Sequence, residues 1–418
     1  MKVKYIYPLA LIFAAELTRA NASSFSFRQK IQADDNSTNY VFSGKNGVAT
    51  YADIIVVGSY GKNVSAGGAY IFKFNRSTHL FEQVAKLTPS TPVPGAEFGA
   101  SVAIYADTVV VGAPYENSYT GNVYVFEKPA AGWKDMNETA VLTNSAAAAQ
   151  ANFGSAVAIY QDTIAASSPN SPFSSVTLFE KNGTHWRDMN ESATLTSPSN
   201  LSADAWFGSS LALDANTLVA GTYQDHNENG AALVFEKPAS GWQDMNHSTA
   251  KLTMQDRTNG DRLGNSVAVS GDLIMASAPY YANYKGAVFA FKKSSAHWSD
   301  MNASARIQSQ TSSYQFGQSV CLIRNTLIVT EYDGGYFYDF TGTLTNDLNI
   351  TDTLNTNPRA YGTGYGDTMA CSDKRVVMGA YIEHNYEGRV YVFDADISNG
   401  SAASASNANP SLLMYLLN

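Results

Sequence analysis

The chain has 418 residues, 44% of them hydrophobic and only 15% charged, with a net charge of -9, 31 glycines, 25 tyrosines and 20 phenylalanines. The acidic balance gives no support to a nucleic-acid or anionic-membrane partner, and two cysteines, Cys321 and Cys371, are too few for a disulfide scaffold. The apolar fraction suffices for a sizeable core, and the excess of Gly, Tyr and Phe is that of a β-rich, turn-rich chain.

Residues 1–22 read as a secretory signal peptide: Lys2 and Lys4 form a basic start, Ile6 to Ala15 an apolar stretch, and Ala20-Asn21-Ala22 a cleavage site. The apolar stretch is too short to span a bilayer. Asn-x-Ser/Thr sequons begin at Asn36, Asn63, Asn75, Asn137, Asn182, Asn190, Asn200, Asn246, Asn302, Asn349 and Asn399. They are the expected glycosylation sites of a secreted or cell-surface protein.

The body of the chain, 23–400, is a repeat. FGASVAIYADTVVVGAP begins at Phe98 and returns in variant form at Phe153, Phe207, Leu263, Phe316 and Tyr365, with a degenerate first copy from Gly44. The turn residues of the seven copies are Asp53, Asp107, Asp162, Asn216, Asp272, Asn325 and Lys374, at spacings of 54, 55, 54, 56, 53 and 49. A second half follows most copies, as in GNVYVFEKPAAGWKDMNETAVLT from Gly121. Trp133, Trp186, Trp242 and Trp298 recur in it and are expected to anchor packing rather than bind. Four sequons, at Asn137, Asn190, Asn246 and Asn302, follow these tryptophans, which places them on a surface rim.

Each unit reads as four short strands. In the second these are Val102–Tyr105, Thr108–Gly112 with an all-buried Val run, the alternating Val123–Glu127, and an outer Ala140–Thr143. A four-stranded unit cannot bury both faces alone, so units must stack. Seven packed radially make an all-β, seven-bladed propeller. The seventh unit stops before an outer strand, while a spare strand, Ser24 to Gln32, precedes the first. That strand is expected to complete the last blade and close the ring. Residues 401–418, a small-residue spacer with a short apolar end, are expected to be a flexible tail, shorter in its apolar part than a lipid-anchor signal needs.

Phe-Gly and Gly-Ala-Pro at this spacing, the Trp-x-Asp-Met motif and the count of seven resemble the FG-GAP repeat family, whose best-known members are the propeller domains of integrin α subunits. The resemblance implies an extracellular recognition or adhesion surface, often with calcium. The Asp-rich loop that integrin-like repeats carry between FG and GAP is replaced here by short segments such as IYADT, so those calcium ligands are not expected.

One segment, DHNENGAALVFE from Asp225, matches an EF-hand loop pattern, but its Glu236 belongs to the repeated VFEK strand end and no helices flank it. A looser oxygen cluster of Asp225, Asn227 and Asn229 is the remaining metal candidate; otherwise no cofactor is expected. The six histidines lack metal-ligand spacing and no G-x-S-x-G elbow occurs, so no catalytic residue is expected. The alternatives to a recognition module are a propeller glycan hydrolase and a structural coat glycoprotein. Cys321 and Cys371 fall on inner strands of adjacent units with opposite parity, which permits a disulfide in an oxidising compartment; two buried free thiols are the other reading.

A ligand is sought in the loops after the second strands, which leave one face of a propeller. Tyr60, Tyr115, Tyr223, Tyr280, Tyr332 and Tyr381 open those loops and read as covers for strand ends. Tyr119, Tyr281, Tyr284 and Tyr386 follow and are the candidates for contacting an extracellular protein or glycan.

Overall fold

The structure, a computed structural model, describes residues 25–395 apart from 36–40, 45, 62–65, 147–148, 171–173, 203, 310–313, 324–325, 333, 340–351 and 354–362. The expected signal peptide and tail, the turn residue Asn325, and the sequons at Asn36, Asn63, Asn349 and Asn399 lie outside the described residues. No described helix is long and apolar enough to cross a membrane.

Seven antiparallel sheets of four main strands follow one another along the chain. Blade 2 is typical: Ser101–Tyr105, Thr108–Ala113, Asn122–Glu127 and Ala140–Thr143 pair in sequence order. Its second strand is buried at every residue, as the Val run demands. The first strand of each blade touches the first strand of the next, and that of blade 7 touches that of blade 1. The ring is therefore closed around a central channel of about 150 Å³, lined by first-strand residues of all seven blades. Blade 7 takes its outer strand from the start of the chain, where Phe25–Ile31 pairs antiparallel with Arg389–Ala395.

The core lies between blades. Phe42, Phe98, Phe153, Phe207, Leu263 and Phe316 are fully buried, one per blade, and Tyr365 fills the place in blade 7. Phe98, for example, packs on Tyr124 and Phe126 of its own blade within a cluster that includes Ile71, Ala85 and Leu87 of blade 1. The first repeat carries the same buried aromatic. Phe42-Ser43 stands where the others have Phe-Gly, and Ser43 itself adopts φ 67°. The residue before each of these seven positions is left-handed: Val41, Glu97, Asn152, Trp206, Arg262, Gln315 and Gly364 all have positive φ.

The connection between third and fourth strands forms a latch to the preceding blade. Trp186, Trp242 and Trp298 are buried. Two residues after each Trp of the motif, an aspartate accepts a backbone N–H from the outer strand of the blade before: Lys86 to Asp135, Val141 to Asp188, Thr194 to Asp244 and Lys251 to Asp300, at 2.7–2.8 Å. The next residues, Met189–Asn190 and Met301–Asn302, extend those outer strands by parallel pairing. Unit 6 lacks the Trp-x-Asp-Met sequence, and there Cys321 and Cys371 form a disulfide between first strands of blades 6 and 7, with Cα atoms 6.2 Å apart.

Two stability measurements check this account. Phe153→Ala opens a cavity at a blade interface and is expected to cost about 3–5 kcal/mol in urea unfolding. Replacing both Cys321 and Cys371 by Ser is expected to cost about 2–4 kcal/mol, and the native chain should yield no free thiol until it is unfolded with reductant.

Candidate functional site

In an antiparallel blade, the loop from second to third strand and the loop from fourth strand to the next blade leave from the same face. That face collects the exposed aromatics. Of nine exposed large hydrophobic side chains among the described residues, seven sit in these two loops: Tyr115, Tyr119, Trp206, Tyr284, Tyr314, Tyr332 and Tyr386. Single exposed apolar residues are ordinary, but their concentration on one face makes that face the candidate site.

The local backbone explains how they are held. In blades 2, 4, 5 and 7 the loop after the second strand contains a single turn, Glu116–Tyr119, Asp225–Glu228, Tyr281–Tyr284 and Glu383–Tyr386. The last three residues of each turn have positive φ, so the turn is left-handed, a geometry that costs roughly 1–2 kcal/mol per residue for non-glycine side chains. The compensation lies in the next blade junction. Asn152 N–H donates to Tyr119 O at 2.8 Å and Phe153 N–H to Thr120 O at 2.9 Å. The same pair recurs as Arg262 to Glu228 and Leu263 to Asn229, Gln315 to Tyr284 and Phe316 to Lys285, and Val41 to Tyr386 and Phe42 to Glu387. The glycine that follows is sterically required: at Gly121, φ 86°, an added Cβ would stand 2.1 Å from Phe153 O.

Position in the turn decides the fate of each side chain. The first residue points inward. Glu116 is buried and accepts from Tyr124 Oη at 2.6 Å; Glu383 is buried and accepts from Tyr391 Oη at 2.8 Å and Lys30 Nζ at 2.7 Å. Tyr281 occupies this same first position, is buried, and bonds to Arg306 at 2.6 Å. Its register in the turn removes it from the ligand candidates. The fourth residue points to solvent, and Tyr119, Tyr284 and Tyr386 are 51%, 48% and 46% exposed. Sequence spacing alone could not separate Tyr281 from Tyr284, because both follow the second strand within a few residues.

The aromatic rings connect across blades. Trp206 lies 5.8 Å from Tyr223, the Arg262 guanidinium covers Tyr280 at 4.3 Å, and Tyr284 stacks on Tyr314 with centroids 5.8 Å apart. Tyr314 in turn meets Tyr332 edge-on at 6.0 Å. Trp206, Arg262 and Tyr314 were not singled out by the motifs. Two of them share a legible position, the residue just before each Phe-Gly, which the fold turns toward this face.

The metal candidate is built otherwise. Asp225 is 2% exposed, and its carboxylate accepts from Lys251 Nζ at 2.7 Å and Ser202 N–H at 2.9 Å, beside His226 Nδ1 at 2.6 Å. Burial alone would raise its pKa; the Lys251 ammonium and the Ser202 N–H outweigh that and hold it below the usual carboxylate range. Asn227 is exposed while Asp225 is buried, and Asn229 Oδ1 is buried without a hydrogen-bond partner. No group of three His, Cys, Asp or Glu placed to hold a metal occurs among the described residues. Glu236 ends the strand Ala231–Glu236, whose other end follows this turn, and cannot fold back onto Asp225 as an EF-hand glutamate would.

Four of the sequons lie in the latches. Asn137, Asn190, Asn246 and Asn302 are exposed in the latches, and Asn190 and Asn302 accept from Thr143 and Thr253 through Oδ1 at 2.8 Å. Asn75 ends the strand Ala69–Asn75 and is half-buried, Asn182 is exposed ahead of Trp186 in the same connection, and Asn200 is exposed in the loop from blade 3 to blade 4, on the aromatic face. Among the described residues the channel lining carries one carboxylate, Asp367, with Asn, Ser, Thr, Gln and apolar side chains.

A family model described as FG-GAP repeat matches residues 81–126, 189–235 and 247–291. Each matched segment begins with or just before the outer strand of one blade and ends with the third strand of the next, so the sequence repeat straddles the blade boundary. No curated protein matches the chain.

Asp225→Asn tests the inward-facing assignment. It leaves Lys251 beside a neutral amide and is expected to lower stability by about 3 kcal/mol at neutral pH. Because the folded pKa of Asp225 is depressed, the wild-type advantage is present above the unfolded carboxyl pKa and fades as pH falls through the folded value. Urea melts of both chains from pH 7 to pH 3 should converge.

Proposed function

We propose that the chain, a seven-bladed propeller whose repeats match the FG-GAP family model, is a secreted or cell-surface glycoprotein acting as a non-enzymatic recognition or adhesion module for an extracellular protein or glycan. The observation that carries this reading is the concentration of seven exposed aromatic side chains on one face, three of them at the same position of a recurring left-handed turn. Tyrosine supplies large contact area with little rotamer entropy to lose, and a backbone fixed by hydrogen bonds across the blade junction lowers the ordering cost further.

The other features agree with it. The four latch sequons stand on the outer perimeter, away from the channel mouth, so glycans there leave the aromatic face open. Glycoside hydrolysis uses a pair of facing carboxylates, whereas the described channel lining holds Asp367 alone. The carboxylate best placed for calcium, Asp225, is already balanced by Lys251, so the reading requires no metal.

An array of glycans and extracellular-matrix proteins, probed with the secreted chain in calcium and in chelator, is the direct experiment. Binding is expected to survive chelation. The triple variant Tyr119→Ala, Tyr284→Ala, Tyr386→Ala should keep the wild-type melting temperature and lose at least about ten-fold in affinity, since stacked aromatic contacts contribute about 0.5–1.5 kcal/mol each. Unchanged binding by a folded triple variant would refute the role of this face.

A further inference from the structure

The connection from blade 1 to blade 2 carries a carboxylate with no hydrogen-bond or ion-pair partner among the described residues. Glu97 directly precedes Phe98, in the left-handed position found at every blade, with φ 55°. That backbone turns its side chain to the channel-mouth side of the aromatic face. Here it lines a cavity of about 300 Å³ together with Tyr60, Tyr115, Asn152, Trp206 and Tyr223. Glu97 is half-buried, and no hydrogen bond or ion pair joins its carboxylate to another described residue. This sets it apart from the buried acids of the same face. Glu116 has Tyr124, Asp225 has Lys251, and Glu383 has Lys30 and Tyr391.

A half-buried carboxylate with no counter-charge among the described residues gains from a cation that arrives to balance it. Its surroundings have the wrong sign to help. Burial holds the Glu97 carboxyl above the usual carboxylate range. Tyr60 is pushed up to about 12, first by its own burial and then by Glu97 and the neighbouring tyrosines Tyr381, Tyr115 and Tyr386. Both effects describe a site in which negative charge is poorly solvated and positive charge would be welcome. The rest of the wall supplies what an organic cation needs. Aromatic faces attract a desolvated ammonium or guanidinium through their quadrupole, and four such rings surround this cavity. The nearby guanidinium, Arg262, is committed elsewhere: it pairs with Glu228 at 2.7 Å and stacks over Tyr280.

We propose that the cavity formed by Tyr60, Glu97, Tyr115, Trp206 and Tyr223 binds an organic cation, an ammonium or guanidinium group, with Glu97 as counter-ion and the rings as its cage. The cation is either a small free amine or a Lys or Arg side chain presented by a protein ligand. The chemistry at the site is the same for both. The inference stands apart from the role of the outer tyrosines, because Tyr119, Tyr284 and Tyr386 do not line this cavity.

The test is a calorimetric titration of the full secreted chain with tetramethylammonium and argininamide, with the neutral isostere neopentyl alcohol as control. The same protein is titrated with a lysine-containing peptide and its Nε-acetylated form. Both small cations should bind and the alcohol should not. Glu97→Gln, which keeps side-chain shape, should weaken cation binding about ten-fold or more while the melting temperature holds or rises. Trp206→Leu, another residue of the lining, should weaken it independently. Binding of small cations without the peptide supports a site for a free amine. Binding of the peptide, abolished by acetylation, supports a side-chain site. Equal binding of the alcohol, or undiminished cation binding by a folded Glu97→Gln, overturns the proposal. Loss of array binding in the triple tyrosine variant with cation binding retained would leave this site intact, and the converse would remove it without touching the outer face.

Discussion

Every part of this propeller depends on one contact, the insertion of an aromatic or Leu side chain between neighbouring blades directly after a left-handed residue. Phe42, Phe98, Phe153, Phe207, Leu263, Phe316 and Tyr365 are the seven plugs. A sheet with two apolar faces gains little alone. Once a plug is seated, both faces are covered, and a ring of seven has no uncovered face left. The reversal of φ before each plug turns the chain into the next first strand at the end of the crossing from the outer strand.

That same junction makes the exposed face. A left-handed turn of three non-glycine residues is unfavourable in isolation. It persists because two backbone N–H groups of the next blade bond to its last carbonyls, each worth about 0.5–1.5 kcal/mol net, and because the plug beside them is fully buried. The turn then sends its first side chain inward and its fourth outward. A structural solution for joining blades has the consequence that tyrosines stand in the same pose on blades 2, 5 and 7. Strain here is explained by packing and needs no separate functional origin.

The ring is not symmetric in how it is secured. Blades 1 to 4 have their outer strands latched by the Asp and Met of the following unit. Around the closure, charge and covalency take over. Lys30 from the first strand meets Glu383. Arg375, 5% exposed, bonds to Asp394 at 3.1 Å and to Ala52 O at 2.6 Å and covers Phe81 at 4.3 Å, joining blade 7 to blade 1. Cys321 and Cys371 join blades 6 and 7. Closing a ring with its two chain ends in one blade is the step most exposed to fraying, and these links secure it.

The amino-acid sequence by itself determined the number of blades, the four strands of each and the completion of blade 7 by the first strand. These are local or periodic properties: a turn residue every 49 to 56 positions, a Val run that must be buried, a missing strand at one end and a spare at the other. Strand limits in blade 2 agree within one residue. Only the tertiary structure decided which residues meet at the exposed aromatic face. Tyr281 and Tyr284 are three residues apart, yet a left-handed turn buries one and presents the other, and no propensity foretells that turn because the next blade stabilises it. Asp225 reads as a metal ligand until Lys251, on an outer strand 26 residues later, is seen to reach it. Glu97 and Trp206 belong to different repeats and look like ordinary loop residues. They line one cavity because radial packing brings the residues before successive Phe-Gly pairs around a single channel mouth, a proximity that exists only once the ring is closed.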